Sequence, residues 1–511
     1  MTQTAIAYIN GHVYTVDERR PWAEAFIVST SGHFEAVGTN DEIINLAKEQ
    51  SLLTYDLENV FVMPGIHDAH THLLLASMQK LNEIDIGSES TAATIAENIK
   101  KGQCACACAY AHIRGDWFIA NYYAGDNFPD SRIDCKYLDD AYPDQPLLIC
   151  DISCHNVVVN SAGLKRAGYD TEAKEDPPGG KYIRRLDDGT LTGELVGAAT
   201  TQVWSRLPQP PVWYVKEAIT YGIQMSQRFG ITSVQETSAN TIYLQALRDL
   251  AREGRLNMEI FPHIVHAPET FVSEPQESLH HLIDVADTFR SEHVNTGFVK
   301  FWMDGAPIPP HFTQCDLGQD GFPDETKLLI SSNTLLRGLS EHDSRGMTCK
   351  IHCAGEGSIR RALDVLEVVR KSNPTGPRHE LAHCNAIHKG ERERELCLRR
   401  QGIRLISNSL LKMTSLEWRS SESLPRCHRQ YFTRLVSQPT SPLSFNGCLR
   451  TFKMLEFMSL WVQTGFCPRH QNSFLPCLQL WKGSVRTQTK QLKKLEERRF
   501  AGQLRWLGQR L

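Results

Sequence analysis

The chain has 511 residues, of which 41% are hydrophobic and 22% charged, and its formal net charge is −4. These values are typical of a soluble globular protein with a large and a smaller domain, and they indicate no particular partner. The sequence contains no run of about 18 apolar residues and no basic, apolar leader, so we predict neither a transmembrane helix nor a secretory signal. The 15 cysteines are scattered, which predicts reduced thiols in a cytoplasmic protein.

Residues 6–58 predict β structure, because short apolar runs alternate with Asn-Gly and Ser-Gly turns. The predicted strands are Ile6–Ile9, His12–Val16, Ala25–Val28 and Phe34–Gly38. We interpret residues 1–58 as the N-terminal part of a small β-sandwich.

From about residue 59 to 407, strand-like and helix-like segments alternate, which predicts an α/β domain with a parallel sheet. Apolar residues recur with helical period in Tyr214–Phe229 and again in Ile359–Val369, and Ile231–Val234 predicts a strand. The segment from about 76 to 213 is too long for a plain strand–helix unit. We interpret it as an inserted cap that faces the substrate.

Two histidines follow an apolar run and a Pro64-Gly65 turn signal. His70 and His72 are two residues apart, so on an extended strand both imidazoles point to the same side. Such a pair can hold one metal ion, zinc above all. The spacing alone is weak evidence, because histidine pairs also occur by chance on strands and loops.

The sequence around these histidines resembles the amidohydrolase superfamily, whose first metal-binding strand has the form Pro-Gly-x-x-Asp-x-His-x-His. Further motifs narrow the resemblance to the amidohydrolase-3 group, which includes N-substituted formamide deformylases. In chain order these motifs are Asp151–His155 with Asn160-Ser161, Asp188–Glu194, Gly230–Val234, Val299–Gly305, Ile351–Gly355 and Glu380–His383. The number of matches in the right order makes the resemblance specific.

The resemblance implies a (β/α)8 barrel, with the small β-sandwich beside it and the active site at the C-terminal strand ends. It also implies one or two divalent metal ions, with zinc expected. His70 and His72 would bind the more buried ion. Lys300, as a carboxylated lysine, would bridge two ions, and His352 and His383 would complete the second site.

Three polar residues in the cap motifs are candidates for substrate binding. They are His155, Asp151 and Glu194. For each the alternative is a structural role, in which the side chain only hydrogen-bonds within its own loop or strand.

Two aspartates are candidates for orienting the metal ligands from behind. Asp68 precedes His70 by two residues, and Asp304 follows Lys300 by four. The alternative for Lys300 is a salt bridge to Asp304.

The superfamily places its general base, an aspartate, at the end of the eighth barrel strand. The expected Gly-Ser-Asp motif is missing, and no aspartate follows Asp364. We therefore identify no catalytic residue, and we predict a barrel that is incomplete at its C-terminal end.

The C-terminal segment has an unusual composition. Residues 402–511 carry a net charge of +13, whereas residues 1–401 carry −17. We interpret residues 408–511 as an anomalous basic tail that arises from a shifted reading frame or a wrong splice, or that is a divergent terminus. A nucleic-acid or membrane patch is disfavoured because the basic residues are spread out. We expect the tail to be irregular or weakly helical, with Lys490–Arg499 as its helix.

The leading hypothesis is a metal-dependent hydrolase that acts on non-peptide carbon–nitrogen bonds, with a small amide or an N-substituted formamide as substrate. One alternative is an inactive or truncated barrel that only binds metal, because the eighth-strand aspartate is missing. A second is a phosphoesterase that uses the same histidine pair. We expect a small-molecule amide as the partner and neither nucleic acid nor membrane. A homodimer is left open.

Overall fold

The computed structural model describes residues 4–81, 83–106, 114–177, 179–268, 272–391, 394 and 403–407. The N-terminal strands are β1 (Ile6–Ile9), β2 (His12–Tyr14), β3 (Trp22–Ala23), β4 (Ala25–Val28), β5 (Phe34–Gly38), β6 (Leu53–Asp56) and β7 (Phe61–Val62). They form two small sheets with the strand orders β5-β4-β1-β6 and β3-β2-β7. Because β7 pairs with β2, these sheets extend past the boundary predicted at residue 58.

A helix lies within this region, where the sequence predicted strands alone. This helix, α1, spans Asn40–Glu49. The Thr39 hydroxyl accepts a hydrogen bond from the Glu42 backbone N–H at 3.3 Å, and the Glu42 carboxylate accepts one from the Thr39 N–H at 2.8 Å. This reciprocal capping box starts the helix, and burial of Ile43 and Ala47 fixes its inner face.

A separate sheet follows β8 (Ile66–Thr71) and α2 (Leu73–Leu81). Its strands are β9 (Ile84–Asp85), β10 (Phe118–Tyr123), β11 (Leu147–Asp151), β12 (Asn156–Val159), β13 (Gly180–Arg184) and β14 (Leu191–Gly197). Their order is β13-β14-β12-β11-β10-β9. The helices of this region are α3 (Ile95–Cys106), α4 (Lys136–Asp139), α5 (Ser161–Ala167) and α6 (Thr201–Arg206). We call this region the cap sheet. It occupies the segment predicted as an insertion, and its role as a cap stays a prediction.

The chain then builds a parallel sheet whose strands alternate with helices. Its further strands are β15 (Ile231–Ala239), β16 (Glu259–Ala267), β17 (Phe298–Trp302), β18 (Thr348–Cys353), β19 (His379–His383) and β20 (Ile403–Ser407). The helices are α7 (Val212–Gln227), α8 (Thr241–Arg252), α9 (Gln276–Asp284), α10 (Ser332–Ser344) and α11 (Glu356–Ser372). Short 3-10 helices lie at Gly125–Asn127, Pro129–Ser131, Ala198–Thr200, Ala286–Phe289 and Glu325–Lys327.

Within the described residues this sheet has seven strands in the order β8-β15-β16-β17-β18-β19-β20, all parallel. It is a curled, incomplete barrel of the (β/α)8 type, as predicted. Residues 408–511, where an eighth strand was predicted to be missing and a helix was predicted at Lys490–Arg499, lie outside the described residues.

The barrel core explains why these segments fold as they do. Helix α7 buries Val215, Ile219 and Ile223, which recur at helical spacing as the sequence predicted. The chain then turns at Gly230, whose φ of +76° favours glycine, and enters β15. Strands β16 and β18 are buried along nearly their whole length because helices cover the sheet. No helix in the described part of the chain has the length and apolarity needed to cross a membrane.

Candidate metal centre

Four histidines from three strands meet inside the barrel. The ring centroids of His70 and His72 are 5.7 Å apart, those of His70 and His383 4.4 Å, and those of His352 and His383 4.6 Å. His70 lies on β8 and His383 on β19, five strands apart in the sheet order. In a flat sheet that offset corresponds to about 24 Å, at roughly 4.8 Å per strand. The curl of the sheet therefore brings these predicted ligands together.

Burial keeps these imidazoles neutral. It lowers the pKa of His70, His352 and His383 well below the ordinary value, and it also lowers that of His72, whose side chain is 37% exposed. Any positive charge on Lys300 lowers the pKa of all four further. A neutral imidazole keeps the lone pair that a metal ligand needs. Both ring nitrogens of His70 are buried without a hydrogen-bond partner, which fits a metal ligand better than a structural histidine.

The hydrogen bonds of His352 determine its tautomer. Its Nε2 donates to the carbonyl oxygen of Gly305 at 3.0 Å, so its Nδ1 carries the lone pair. That Nδ1 accepts a hydrogen bond from Nε2 of His383 at 3.1 Å. Among the described residues, no three His, Cys, Asp or Glu side chains converge on one point as a metal site requires. His352 and His383 instead bond to each other.

Lys300 is fully buried on β17, and its Nζ has no hydrogen-bond partner. Its Nζ lies 4.9 Å from the centre of the Trp302 ring. Burial, and then the charge of Lys350, lowers the pKa of Lys300 well below its usual value. The amine is therefore biased toward the neutral form, whose lone pair can react with carbon dioxide to give a carbamate. This agrees with the chemistry expected of a bridging lysine, although the role itself stays a prediction.

The alternative salt bridge between Lys300 and Asp304 is wrong. The Asp304 carboxylate instead accepts three backbone hydrogen bonds, from Ala354 and Gly355 at 2.9 Å and from Cys315 at 3.0 Å. Burial raises its pKa to about 6. Asp304 Oδ1 also lies 3.6 Å from Nε2 of His352. Asp304 thus holds the loop that follows β18 and lies beside His352 rather than Lys300.

Asp68 acts on the backbone of β8. Its Oδ1 accepts a hydrogen bond from the His70 N–H at 3.1 Å. Burial raises the pKa of Asp68 above its usual value. Its carboxylate therefore holds the backbone that carries His70, and its predicted role in orienting a metal ligand stays a prediction.

Glu236, a buried carboxylate on β15, was not predicted as a site residue from the sequence. Its oxygens accept hydrogen bonds from the Leu74 N–H at 3.2 Å and from the Ser238 N–H at 3.0 Å, and Oε1 lies 3.9 Å from Nδ1 of His72. Burial raises the pKa of Glu236 to about 7. His72 Nδ1 in turn lies 2.9 Å from the Ser238 hydroxyl. The signal was available, because Glu236 follows a strand-like run directly, as the barrel ligands do.

Lys350 was missed as well. It stands in register between Lys300 on β17 and Glu380 on β19, and it is fully buried. Its Nζ lies 3.2 Å from Glu380 Oε2 and donates hydrogen bonds to the carbonyl oxygen of Ala69 and to Gln235. Lys350 therefore reaches across the barrel to the residue before His70. The sequence did contain a signal for Lys350. It lies two residues before His352, so both side chains point to the inner face of β18.

His155 joins the histidine cluster from the cap sheet. Its ring centroid is 5.4 Å from that of His352. Asp151 holds the turn before it, because its carboxylate accepts hydrogen bonds from Ser153 and Asn156. Burial raises the pKa of Asp151 to about 6. Asp151 therefore shapes the turn that presents His155.

Glu194 lies on β14 of the cap sheet and lines a cavity of about 80 Å³. Its Oε1 accepts a hydrogen bond from the Tyr123 hydroxyl at 3.2 Å and lies 3.0 Å from His311 Nε2. In the described part of the chain, the side-chain partners of Glu194 are Tyr123 and His311, and none of the four barrel histidines is among them. Of the three predicted substrate-binding residues, His155 contacts the cluster and Asp151 supports it, while Glu194 belongs to the adjoining cavity.

A model of the Amidohydrolase family matches residues 53–406, from the second half of the N-terminal sheets into β20. The chain belongs to the amidohydrolase family. This amidohydrolase is 26% identical over 415 residues to the N-substituted formamide deformylase of Arthrobacter pascens, a match that covers 80% of this chain and 73% of that protein. It is 23% identical over 384 residues to YtcJ of Bacillus subtilis (strain 168), an amidohydrolase by name, with 74% and 68% covered.

A solved structure shows the same fold. It belongs to a metal-dependent hydrolase of Pyrococcus horikoshii OT3 that is described as uncharacterized. This amidohydrolase superposes on it with a TM-score of 0.57 at 20% identity, and the match covers 79% of this chain and 74% of the other. Membership of the amidohydrolase family indicates that the chain is a hydrolase. The residues that the family model matches include the four barrel histidines.

Proposed function

We propose that this amidohydrolase is a metal-dependent hydrolase of a non-peptide carbon–nitrogen bond, with N-substituted formamides as the first substrates to test. The observation that carries the proposal is the meeting of four neutral histidines with a buried lysine whose Nζ has no hydrogen-bond partner. The choice of formamides is supported by the name of the Arthrobacter pascens relative, which is 26% identical.

The donor set fits divalent metal ions with a preference for imidazole and oxygen ligands, and zinc is the first ion to test. His70 and His72 would hold one ion, and His352, His383 and a carboxylated Lys300 would hold a second. When bound, such a metal polarises a carbonyl group and lowers the pKa of a water molecule. The chain's own contribution is to keep the imidazoles neutral, to exclude bulk water from His70 and to present His155 beside His352.

The sequence lacks the residue that acts as general base in the superfamily and so transfers the proton. The superfamily's eighth-strand aspartate has no counterpart, because no aspartate follows Asp364. This absence favours the second candidate function, a barrel that binds metal but turns over slowly or not at all. A small-molecule partner and a cytoplasmic location remain predictions.

The test uses the purified 511-residue chain, stripped with a chelator and reconstituted with zinc or manganese. Release of amine from N-alkylformamides and N-alkylacetamides is measured beside hydrolysis of p-nitrophenyl phosphate. We expect metal-dependent amine release that is lost in His352→Ala and kept in His281→Gln, a change at an exposed histidine of α9. Metal uptake without amine release would support the inactive barrel. Faster cleavage of the phosphate ester, or amide hydrolysis that survives chelation, would overturn the proposal.

A further inference from the structure

A small cavity lies between the cap sheet and the loop that follows β17. Its volume is about 80 Å³, which suits a group of a few atoms rather than a whole large substrate. The residues that matter for its chemistry are Tyr123, Gly125, Asp151, Glu194, Pro310 and His311. The two sides of the cavity therefore come from different parts of the chain.

Glu194 is the carboxylate that can accept a further hydrogen bond there. It is only 1% exposed, and its Oε1 is engaged by Tyr123 and His311. Its Oε2 is buried and has no hydrogen-bond partner. A buried carboxylate oxygen without a donor costs free energy. A ligand that supplies the donor would recover that free energy.

The other charges at the cavity favour a cation. Asp126 and Asp151 also line it, and none of the lining residues is lysine or arginine. The Asp151 oxygens are already engaged by Ser153 and Asn156, and Asp126 is exposed. His311 is the sole basic side chain of the lining, and it already pairs with Glu194. The cavity thus combines negative charge with a buried acceptor, Glu194 Oε2, that has no donor.

Two segments connect this cavity to the histidine cluster. Asp151 and Ile152 line the cavity, while His155 at the end of the same turn lies beside His352. The loop after β17 accepts a hydrogen bond from His352 at Gly305 and reaches the cavity at His311. The cavity and the histidine cluster are therefore bordered by the same two segments of the chain.

We propose that Glu194 makes this cavity a specificity subsite for a protonated amino group, so that the preferred substrates are amides that carry a primary ammonium group at some distance from the scissile bond. The identity of the amide as substrate rests on the proposed function. The recognition itself is a charge-assisted hydrogen bond from N–H to Glu194 Oε2, in a site where the low dielectric strengthens it.

The test measures binding rather than turnover. The full chain, with a chelator present so that no metal can coordinate the amine, is titrated with n-propylammonium and with its neutral isostere 1-propanol. Ligand-observed NMR reports the affinity of each. We expect n-propylammonium to bind at least about tenfold more tightly than 1-propanol, and Glu194→Gln to abolish that difference. Equal affinities in the wild-type chain, or an unchanged preference in Glu194→Gln, would overturn the inference.

The matched control is Glu259→Gln. Glu259 is also a buried glutamate paired with a histidine, since its Oε1 lies 2.9 Å from Nδ1 of His293, but it does not line the cavity. This variant should keep the ammonium preference.

If Glu194→Gln fails to fold, the variant Gly125→Ala provides the test of the subsite instead. Its Cβ would lie 3.0 Å from Pro310 Cδ and 3.8 Å from Glu194 Oε1, so it should weaken n-propylammonium more than methylammonium. Equal effects on the two ions would count against the subsite.

The binding result and the hydrolysis result can fail separately. Ammonium binding without amide hydrolysis would leave the subsite standing and remove the proposed reaction. Metal-dependent hydrolysis without an ammonium preference would leave the reaction standing and remove the subsite.

Discussion

Lys300 and Lys350 stand directly opposite each other on neighbouring strands, and both are fully buried. Lys350 has a carboxylate partner, since its Nζ lies 3.2 Å from Glu380 Oε2, whereas Lys300 Nζ has no hydrogen-bond partner. Two ammonium groups this close in a low-dielectric interior repel each other, and the repulsion is relieved if one is neutral. The arrangement favours Lys300 as the neutral amine and Lys350 as the charged one.

Lys300 should therefore be the lysine that forms a carbamate. With ¹³C-labelled bicarbonate, NMR of the metal-loaded chain should show a carbamate signal that disappears in Lys300→Ala. Metal stoichiometry should fall in the same variant, and a short-chain carboxylic acid should partly restore it. Lys371→Gln, at an exposed position of α11, is the comparison and should retain the signal. A carbamate signal that persists in Lys300→Ala would contradict this assignment.

His70 and His72 should be required for metal binding. Both ring nitrogens of His70 are buried without a partner, so a bound ion would satisfy the group that the fold leaves unsatisfied. Elemental analysis of His70→Ala/His72→Ala should show the loss of at least one metal equivalent per chain relative to the wild-type chain. His67→Ala on the same strand is the control, because His67 Nδ1 lies 2.7 Å from the Ser233 hydroxyl, away from the cluster. Unchanged metal content in the double variant would rule out the site.

Asp304→Asn should destabilise the fold around His352. The carboxylate accepts three backbone hydrogen bonds, and an asparagine amide presents one acceptor oxygen and one donor nitrogen, so at least one buried N–H loses its partner. We expect a loss of about 1–3 kcal/mol in the free energy of unfolding, measured by urea titration. Asp320→Asn serves as the control, since Asp320 is exposed and accepts a bond from the Phe322 N–H. Equal stability of the two variants would show that the Asp304 network contributes little.

Acid should destabilise the chain through a second histidine pair. His266 on β16 and His342 on α10 are buried, with Nδ1 and Nε2 3.0 Å apart. Burial lowers the pKa of His266 to about 3 and that of His342 to about 4. Because the unfolded chain has histidine pKa values near 6.5, it binds more protons between about pH 4 and pH 6.5, and stability falls as the pH falls through that window.

Between pH 7 and pH 5 each of these histidines should cost roughly 2 kcal/mol of stability. His342→Gln removes one titrating group and should reduce the loss by about that amount, as measured by urea unfolding followed by tryptophan fluorescence at the two pH values. His281→Gln, at an exposed position of α9, should lose as much stability as the wild-type chain. An identical loss in His342→Gln and in the wild-type chain would show that the pair does not titrate as proposed.

Much of this architecture can be predicted from local sequence patterns. The helical period of residues 214–229 and 359–369 predicts α7 and α11, and both helices form there. The spacing of His70 and His72 and the strand-like runs before His352 and His383 indicate inward-facing groups at strand ends. These signals are local, because they depend on the repeat of the backbone and on the residues within one element. The helix at Asn40–Glu49 was missed although it carries a capping box, since strand patterns surround it on both sides.

Contacts between distant elements could be decided only by the tertiary structure. Strand register and the curl of the sheet determine which side chain each carboxylate contacts. Neither is set by the residues of a single helix or strand. Asp304 therefore bonds to the loop after β18 instead of Lys300, and Lys350 reaches Ala69 across the barrel. One pair of predicted ligands shows the same limit, because the ring centroids of His70 and His383 lie 4.4 Å apart although a flat sheet would separate their strands by about 24 Å. The sequence determined the ligand types and their strands. The curvature of the sheet, which follows from the twist between neighbouring strands, decided that the ligands meet.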